Sequence, residues 1–203
     1  MRKVLILMFM TLDGVAEWPE YNEAGSGDGG EGPEMWSSHL DSTDTLLLGR
    51  KTYEKWANFW PGQGSLPSAT PFLKRFSQYA DMVEKVVFSK TLKSADWPRS
   101  RIVRGDIGEE IARLKSQPGK DMVLGGGSRL AQSFLERDLA DDLYVTLSPS
   151  IVGRGRPFFR VEGDPDHSED VVPMGAPGRH DFELIEARPT GKELLLHYAR
   201  AGP

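Results

Sequence analysis

Two short stretches carry residue types suited to holding an anion. In the first, the apolar run Asp121-Met122-Val123-Leu124 leads into Gly125-Gly126-Gly127, and Ser128-Arg129-Leu130 opens a segment with helical spacing to about Leu135. Glycine is entropically costly to hold in one conformation, so three in a row imply positive φ or close approach of another body to the backbone. A helix starting directly afterwards offers free N–H groups and the positive end of its dipole, which suit the pyrophosphate of a dinucleotide. A tight strand-to-helix turn with no ligand has the same residues. The second stretch, Gly49-Arg50-Lys51-Thr52, also lies between an apolar run and a helix, and adds two cations and a hydroxyl to the opening amides. By itself it also reads as solvated residues after a strand. Ser89-Lys90 ends a third apolar run. A 2′-phosphate on an adenosine ribose wants a hydroxyl and a cation of this kind, which points to NADPH over NADH.

These stretches need a scaffold that brings them to one rim. Val4–Met10, Thr45–Leu48, Lys85–Phe88, Arg101–Arg104, Met122–Leu124 and Asp142–Leu147 read as strands, the first apolar throughout as in a strand covered on both faces. Between them, helices are expected over Pro33–Leu40, from Tyr53 onward, over Phe72–Tyr79, over Ile107–Lys115, and after Ser128. Phe182–Ala187 and Leu194–Tyr198 alternate about Pro189-Thr190-Gly191-Lys192 and read as an antiparallel hairpin. The pattern predicts an α/β fold with a mostly parallel central sheet, helices on both faces and an antiparallel C-terminal edge hairpin. In such a sheet the carboxyl ends of the strands share one rim, so the anion stretches face one extended ligand.

Composition narrows the classes. The 203 residues suit a single domain over 1–203, with an acidic, Gly-rich loop at about 17–33. Cysteine is absent, which excludes disulfides, thiolate zinc sites and cysteine nucleophiles. The net charge of −5, with no Lys/Arg block, argues against nucleic acid. No apolar run reaches the length of a membrane span, and a cytoplasmic location is expected. The four histidines, His39, His167, His180 and His197, lack metal-ligand spacing, so no metal is expected. The glycine motif also lacks the Gly-x-Gly-x-x-Gly spacing of an ordinary dinucleotide fold, and no Gly-Lys-Ser/Thr follows it.

Taken in order, Thr11-Leu12-Asp13-Gly14, Leu48-Gly49-Arg50-Lys51-Thr52-Tyr53, Val87-Phe88-Ser89-Lys90, Val123-Leu124-Gly125-Gly126-Gly127 and Gly153-Arg154-Gly155-Arg156-Pro157 resemble dihydrofolate reductase-like proteins. The resemblance is closest to the reductase domain of bacterial riboflavin biosynthesis and its stand-alone relatives. It implies a dihydrofolate reductase-like three-layer sandwich and NADPH as cofactor. Gly49, Arg50, Lys51 and Thr52 would then contact the pyrophosphate and 2′-phosphate. Ser89 and Lys90 would lie near the 2′-phosphate, Gly125, Gly126, Gly127 and Ser128 under the pyrophosphate, and Leu130 beside the nicotinamide.

On the substrate side the resemblance offers Asp13 and Glu34 as catalytic candidates. Asp13 also reads as a turn residue, and Glu34 as a helix N-terminal charge shifted by about one residue from the family's pattern. Trp18, Trp36, Trp56 and Trp60 suit either stacking on a flat heterocycle or core packing, and His39 is expected to face solvent. The implied activity is hydride transfer to a small heterocycle, pterin-like or 5-amino-6-ribosylaminouracil-phosphate-like. The alternative is an NADPH-binding protein without turnover. Apolar alternation along the last strand pair predicts a homodimer.

Overall fold

The computed structural model describes residues 1–17, 32–159 and 180–201. Its centre is β1 (Val4–Thr11), which pairs in parallel with β6 (Asp121–Gly125) on one side and β7 (Asp142–Ser148) on the other. Beyond β6 lie β3 (Thr43–Gly49), β4 (Glu84–Phe88) and β5 (Ser100–Val103), all parallel. Beyond β7, β10 (Glu193–Arg200) and β9 (Phe182–Thr190) form the antiparallel edge hairpin. The order is β5-β4-β3-β6-β1-β7-β10-β9.

Strand alternation divides β1 between two cores. Val4, Ile6 and Met8 face α4 (Ile107–Lys115) and α5 (Ser128–Glu136), where Ile111, Leu114 and Phe134 meet them. Leu5 and Leu7 face α1 (Gly32–Ser37), α2 (Arg50–Phe59) and α3 (Pro71–Met82), which supply Met35, Trp36, Tyr53 and Phe76. Each strand residue is therefore covered whichever way it points, which is why the run is apolar without a polar alternation. Local signals set the helix starts. Thr70 accepts from Leu73 N at 3.2 Å ahead of Pro71, and Asp106 accepts from Glu109 N at 3.1 Å ahead of α4.

Two elements differ from expectation. Helix α1 stops at Ser37 rather than Leu40: Ser38 N still reaches Glu34 O at 3.2 Å, but the next amide, His39 N, turns to Trp36 O at 2.9 Å, closing a tighter 3₁₀-type turn. The Ser38 hydroxyl and Thr43 Oγ1 add bonds to Glu34 O and His39 O, both at 2.8 Å. The second difference is a small antiparallel pair, β2 (Val15–Glu17) with β8 (Arg156–Pro157), too short to show a period in sequence. It brings Glu17, assigned in sequence to the acidic loop, to the rim beside β6.

Among the charged side chains buried off the rim, Lys85 is the most enclosed. Lys85 in β4 is fully buried, donates to Ala80 O and to Val83 O (2.9 Å), and sits 4.6 Å from the Trp97 ring centre. Burial pushes its ammonium down to about 8.

Candidate functional site

The carboxyl ends of β4, β3 and β6 are neighbours. Gly49 pairs with Phe88, and Leu47 with Leu124, so Ser89, Gly49 and Gly125 emerge side by side. Two helices begin there at once, α2 at Arg50 and α5 at Ser128, and neither N-cap glycine has a side chain to offer their first amides. Gly126 and Gly127 have φ of 72° and 79°, the left-handed region that side chains with a Cβ adopt only with strain. A Cβ on Gly127 would also lie 2.9 Å from Thr52 Oγ1, and one on Gly49 3.8 Å from Leu130 Cβ. The two glycine stretches thus touch across the rim. Gly125 is different: a Cβ there would fall on the indole of Trp36, so this glycine makes room for a core side chain.

Beyond Gly49, a cleft of about 510 Å³ opens between Arg50 and Glu54 on α2 and the segment Thr91–Ser94. Ser89 shapes that segment: its hydroxyl accepts from Thr91 N at 3.2 Å and Leu92 N at 2.9 Å. Arg104 fastens it from behind, donating to Lys90 O at 3.1 Å and Leu92 O at 2.6 Å. Lys90 and Lys93 are both exposed, and Lys93 lines the cleft. Lys51 is exposed as well, on the first turn of α2.

The candidate carboxylates on the substrate side are both tied to neighbouring segments. Asp13 accepts from Thr11 Oγ1 at 2.5 Å, Gly153 N at 2.8 Å and Val152 N at 3.2 Å. The Thr11 hydroxyl above all, then the Gly153 amide, holds its carboxyl below the usual range. Glu34 accepts from Thr190 Oγ1 and from Arg188 Nη1 at 2.5 Å. The Thr190 hydroxyl and then Arg188 hold it low too. Both groups are therefore ionised near neutrality and suited to orienting an N–H donor, not to delivering a proton.

The tryptophans belong mostly to the core. Trp36 and Trp60 are buried, and their rings pack 5.1 Å and 4.2 Å from Phe76, with Trp56 5.6 Å from Trp36. Trp18 and His167 lie outside the described residues. His39 is half-buried, its ring 4.4 Å from that of Tyr144, and burial pushes its pKa down. The expected solvent-facing histidine is thus a packed one. Among the described residues, no group of three or more His, Asp or Glu converges as for a metal.

A sequence model of the RibD C-terminal domain matches residues 2–195. The chain belongs to the RibD C-terminal domain family. The uncharacterized protein YyaP of Bacillus subtilis (strain 168) is 30% identical over 165 residues, covering 78% of this chain and 80% of that one. A pyrimidine reductase-like protein from Corynebacterium diphtheriae superposes with a TM-score of 0.64 at 13% identity, covering 100% of this chain and 93% of that one. Dihydrofolate reductase from Enterococcus faecalis, solved with NADP(H), superposes at 0.55 with 16% identity, covering 98% and 97%. The fold is dihydrofolate reductase-like, with the mostly parallel sheet and antiparallel edge described above.

Several residues of this family member's rim escaped the sequence reading. Glu17 Oε1 accepts from both Ser128 N (2.8 Å) and Ser128 Oγ (2.7 Å), across 111 positions of sequence. Glu54 and Lys93 line the cleft, and Arg104 holds its far wall through Leu92 O. Only Glu54 left a local signal, since a carboxylate four residues after Arg50 lies on the same helix face.

Proposed function

We propose that the chain is an NADPH-dependent reductase that directs hydride to a small heterocycle. The observation carrying this reading is the meeting of two helix N-termini over Gly126-Gly127 and Thr52, with a cleft beside Arg50 large enough for an adenosine end. Such a rim suits a long anion with a pyrophosphate in the middle and a further phosphate at one end. In this reading Gly49, Lys51, Thr52 and Gly125 to Ser128 hold the pyrophosphate region, Arg50 holds the 2′-phosphate at the cleft, and Leu130 flanks the nicotinamide. Gly125 would take part by its backbone, since the space where its Cβ would stand is filled by Trp36. Ser89 serves the 2′-phosphate by shaping its loop, with Lys90 and Lys93 supplying charge.

The cofactor supplies the hydride; the chain supplies position and field. An ionised Glu34 or Asp13 accepts hydrogen bonds from the substrate ring, holding a C=N or C=O carbon against the donor face. Neither is poised as an acid, so the proton that follows hydride comes from water. The heterocycle is pterin-like or 5-amino-6-ribosylaminouracil-phosphate-like, the latter supported by the family.

A second reading, NADPH binding without turnover, is favoured by one observation. Both candidate carboxylates already hold structural partners, Asp13 the 152–153 backbone and Glu34 the β9 residues Arg188 and Thr190. Titration with NADPH, followed by NADPH oxidation with dihydrofolate and with the pyrimidine substrate, separates the two. Oxidation with either supports the reductase; tight binding without oxidation supports the second reading; absence of NADPH binding overturns both.

We also propose a homodimer. Strand β9 is a sheet edge, and it leaves Leu184 and Ile185 more than half exposed. A concentration-independent monomer mass by sedimentation would overturn this.

A further inference from the structure

Two carboxylates of the chain stand where the proposed cofactor's phosphates would bind. Glu17 Oε1 takes the Ser128 amide and hydroxyl at 2.8 and 2.7 Å, the first donors of α5. Glu54 Oε2 takes Arg50 Nη1 at 3.2 Å, at the wall of the cleft. We infer that cofactor binding here is an anion exchange, in which Glu17 sets affinity for any dinucleotide and Glu54 sets the preference between NADPH and NADH. The inference rests on the dinucleotide reading above.

The argument for Glu17 is one of occupancy and charge. A single N–H directs its hydrogen at one acceptor, and two anions in contact repel strongly in a partly desolvated site. A pyrophosphate that reaches Ser128 must therefore displace the carboxylate. An exit is at hand: Arg156 Nε lies 3.7 Å from Glu17 Oε2, on the strand paired with β2. The displaced carboxylate can swing toward a cation without leaving the rim. The exchange costs affinity in the free protein, while keeping the α5 N-terminus capped until a ligand arrives.

The argument for Glu54 is positional. Arg50 and Glu54 stand four apart on α2 and both line the cleft, facing Thr91, Lys93 and Ser94. A 2′-phosphate placed beside Arg50 meets the Glu54 carboxylate as well. A ribose 2′-hydroxyl meets it as a hydrogen-bond acceptor, without repulsion. Lys93, across the cleft, offsets Glu54 for the phosphate. Both side chains of the Arg50–Glu54 pair are about 40% exposed, so solvent screens the effect and it is the smaller of the two.

The test uses the full chain with Glu17→Gln and Glu54→Gln, titrated with NADPH, NADH and adenosine 2′-phosphate. Glu17→Gln is expected to tighten NADPH and NADH alike, by about tenfold, and to leave adenosine 2′-phosphate unchanged. Glu54→Gln is expected to tighten NADPH and adenosine 2′-phosphate by about threefold and to leave NADH unchanged. Weaker or unchanged NADPH binding in Glu17→Gln, or equal shifts for both dinucleotides in Glu54→Gln, overturns the inference. A reading independent of variant folding comes from the wild-type chain. Its Ser128 amide resonance should move with NADPH and not with adenosine 2′-phosphate, and a Ser128 amide unmoved by bound NADPH overturns the Glu17 exchange. Failure of the wild-type chain to bind either dinucleotide overturns the underlying reading instead.

Discussion

The indole of Trp36 occupies the space that a side chain on Gly125 would need, with Trp56 packed behind it. The first glycine of the triplet is thus required by the core, and the next two by the turn. This relationship couples α1, which carries Glu34, to the strand end that leads into the glycine turn.

Gly125→Ala is therefore expected to destabilise the fold through overpacking, by roughly 1–3 kcal/mol. Urea denaturation measures the loss. Trp36→Leu in the same chain should recover part of it, because the clash is with the ring. An additive double variant would show that Trp36 is not the obstacle.

Gly127→Ala tests the turn. Its φ of 79° and the 2.9 Å approach to Thr52 Oγ1 are both unfavourable to a methyl group. A stability loss of about 1–2 kcal/mol is expected from the left-handed backbone alone. NADPH affinity should fall at the same time, since the amides after the turn are displaced. Stability lost with NADPH affinity intact would separate the turn from the ligand.

Arg50→Ala is expected to weaken NADPH by on the order of 1.5–3 kcal/mol, through loss of a charge-assisted contact. NADH should weaken less, as it has no 2′-phosphate. Calorimetric titration with both cofactors decides the point, and equal weakening would deny Arg50 that role.

Lys85 gives the fold a pH dependence. Its folded pKa, pushed down to about 8, lies below the ordinary 10.5 of the unfolded chain. Between those values the unfolded state binds more protons, so this group's contribution makes stability rise with pH. Below about 8 both states are protonated and the burial cost is present in full; above 10.5 it is relieved. The span corresponds to on the order of 3 kcal/mol. Urea denaturation from neutral to alkaline pH should show this slope, and Lys85→Met should flatten it. Parallel curves for the two chains would refute the assignment.

Much of the scaffold was readable along the chain because its signals are local. The Val4 to Met8 run reports burial on both faces, the spacing of Ile107, Ile111 and Leu114 reports a helix, and Gly126-Gly127 before Ser128 reports a strand-to-helix turn. The ordered motifs from Thr11 to Gly127 carried the fold, as the family match bears out. Helix α1 was read too long, because its end is a tightened turn, His39 N to Trp36 O, that no residue type in the stretch announces.

The arrangement of the rim was decided only by tertiary structure. Which glycine serves the core depends on where Trp36 lands, and α1 and β6 meet only in the folded sheet. Glu17 reads in sequence as one acid among many at the edge of a loop, yet β2–β8 pairing carries it to Ser128. Arg104 reads as the end of a strand, yet its guanidinium fastens the Ser89–Leu92 turn. Hydrophobic period and turn chemistry are properties of neighbours in sequence. The seating of one charge against another across more than a hundred residues follows only from how sheet and helices close around the same core.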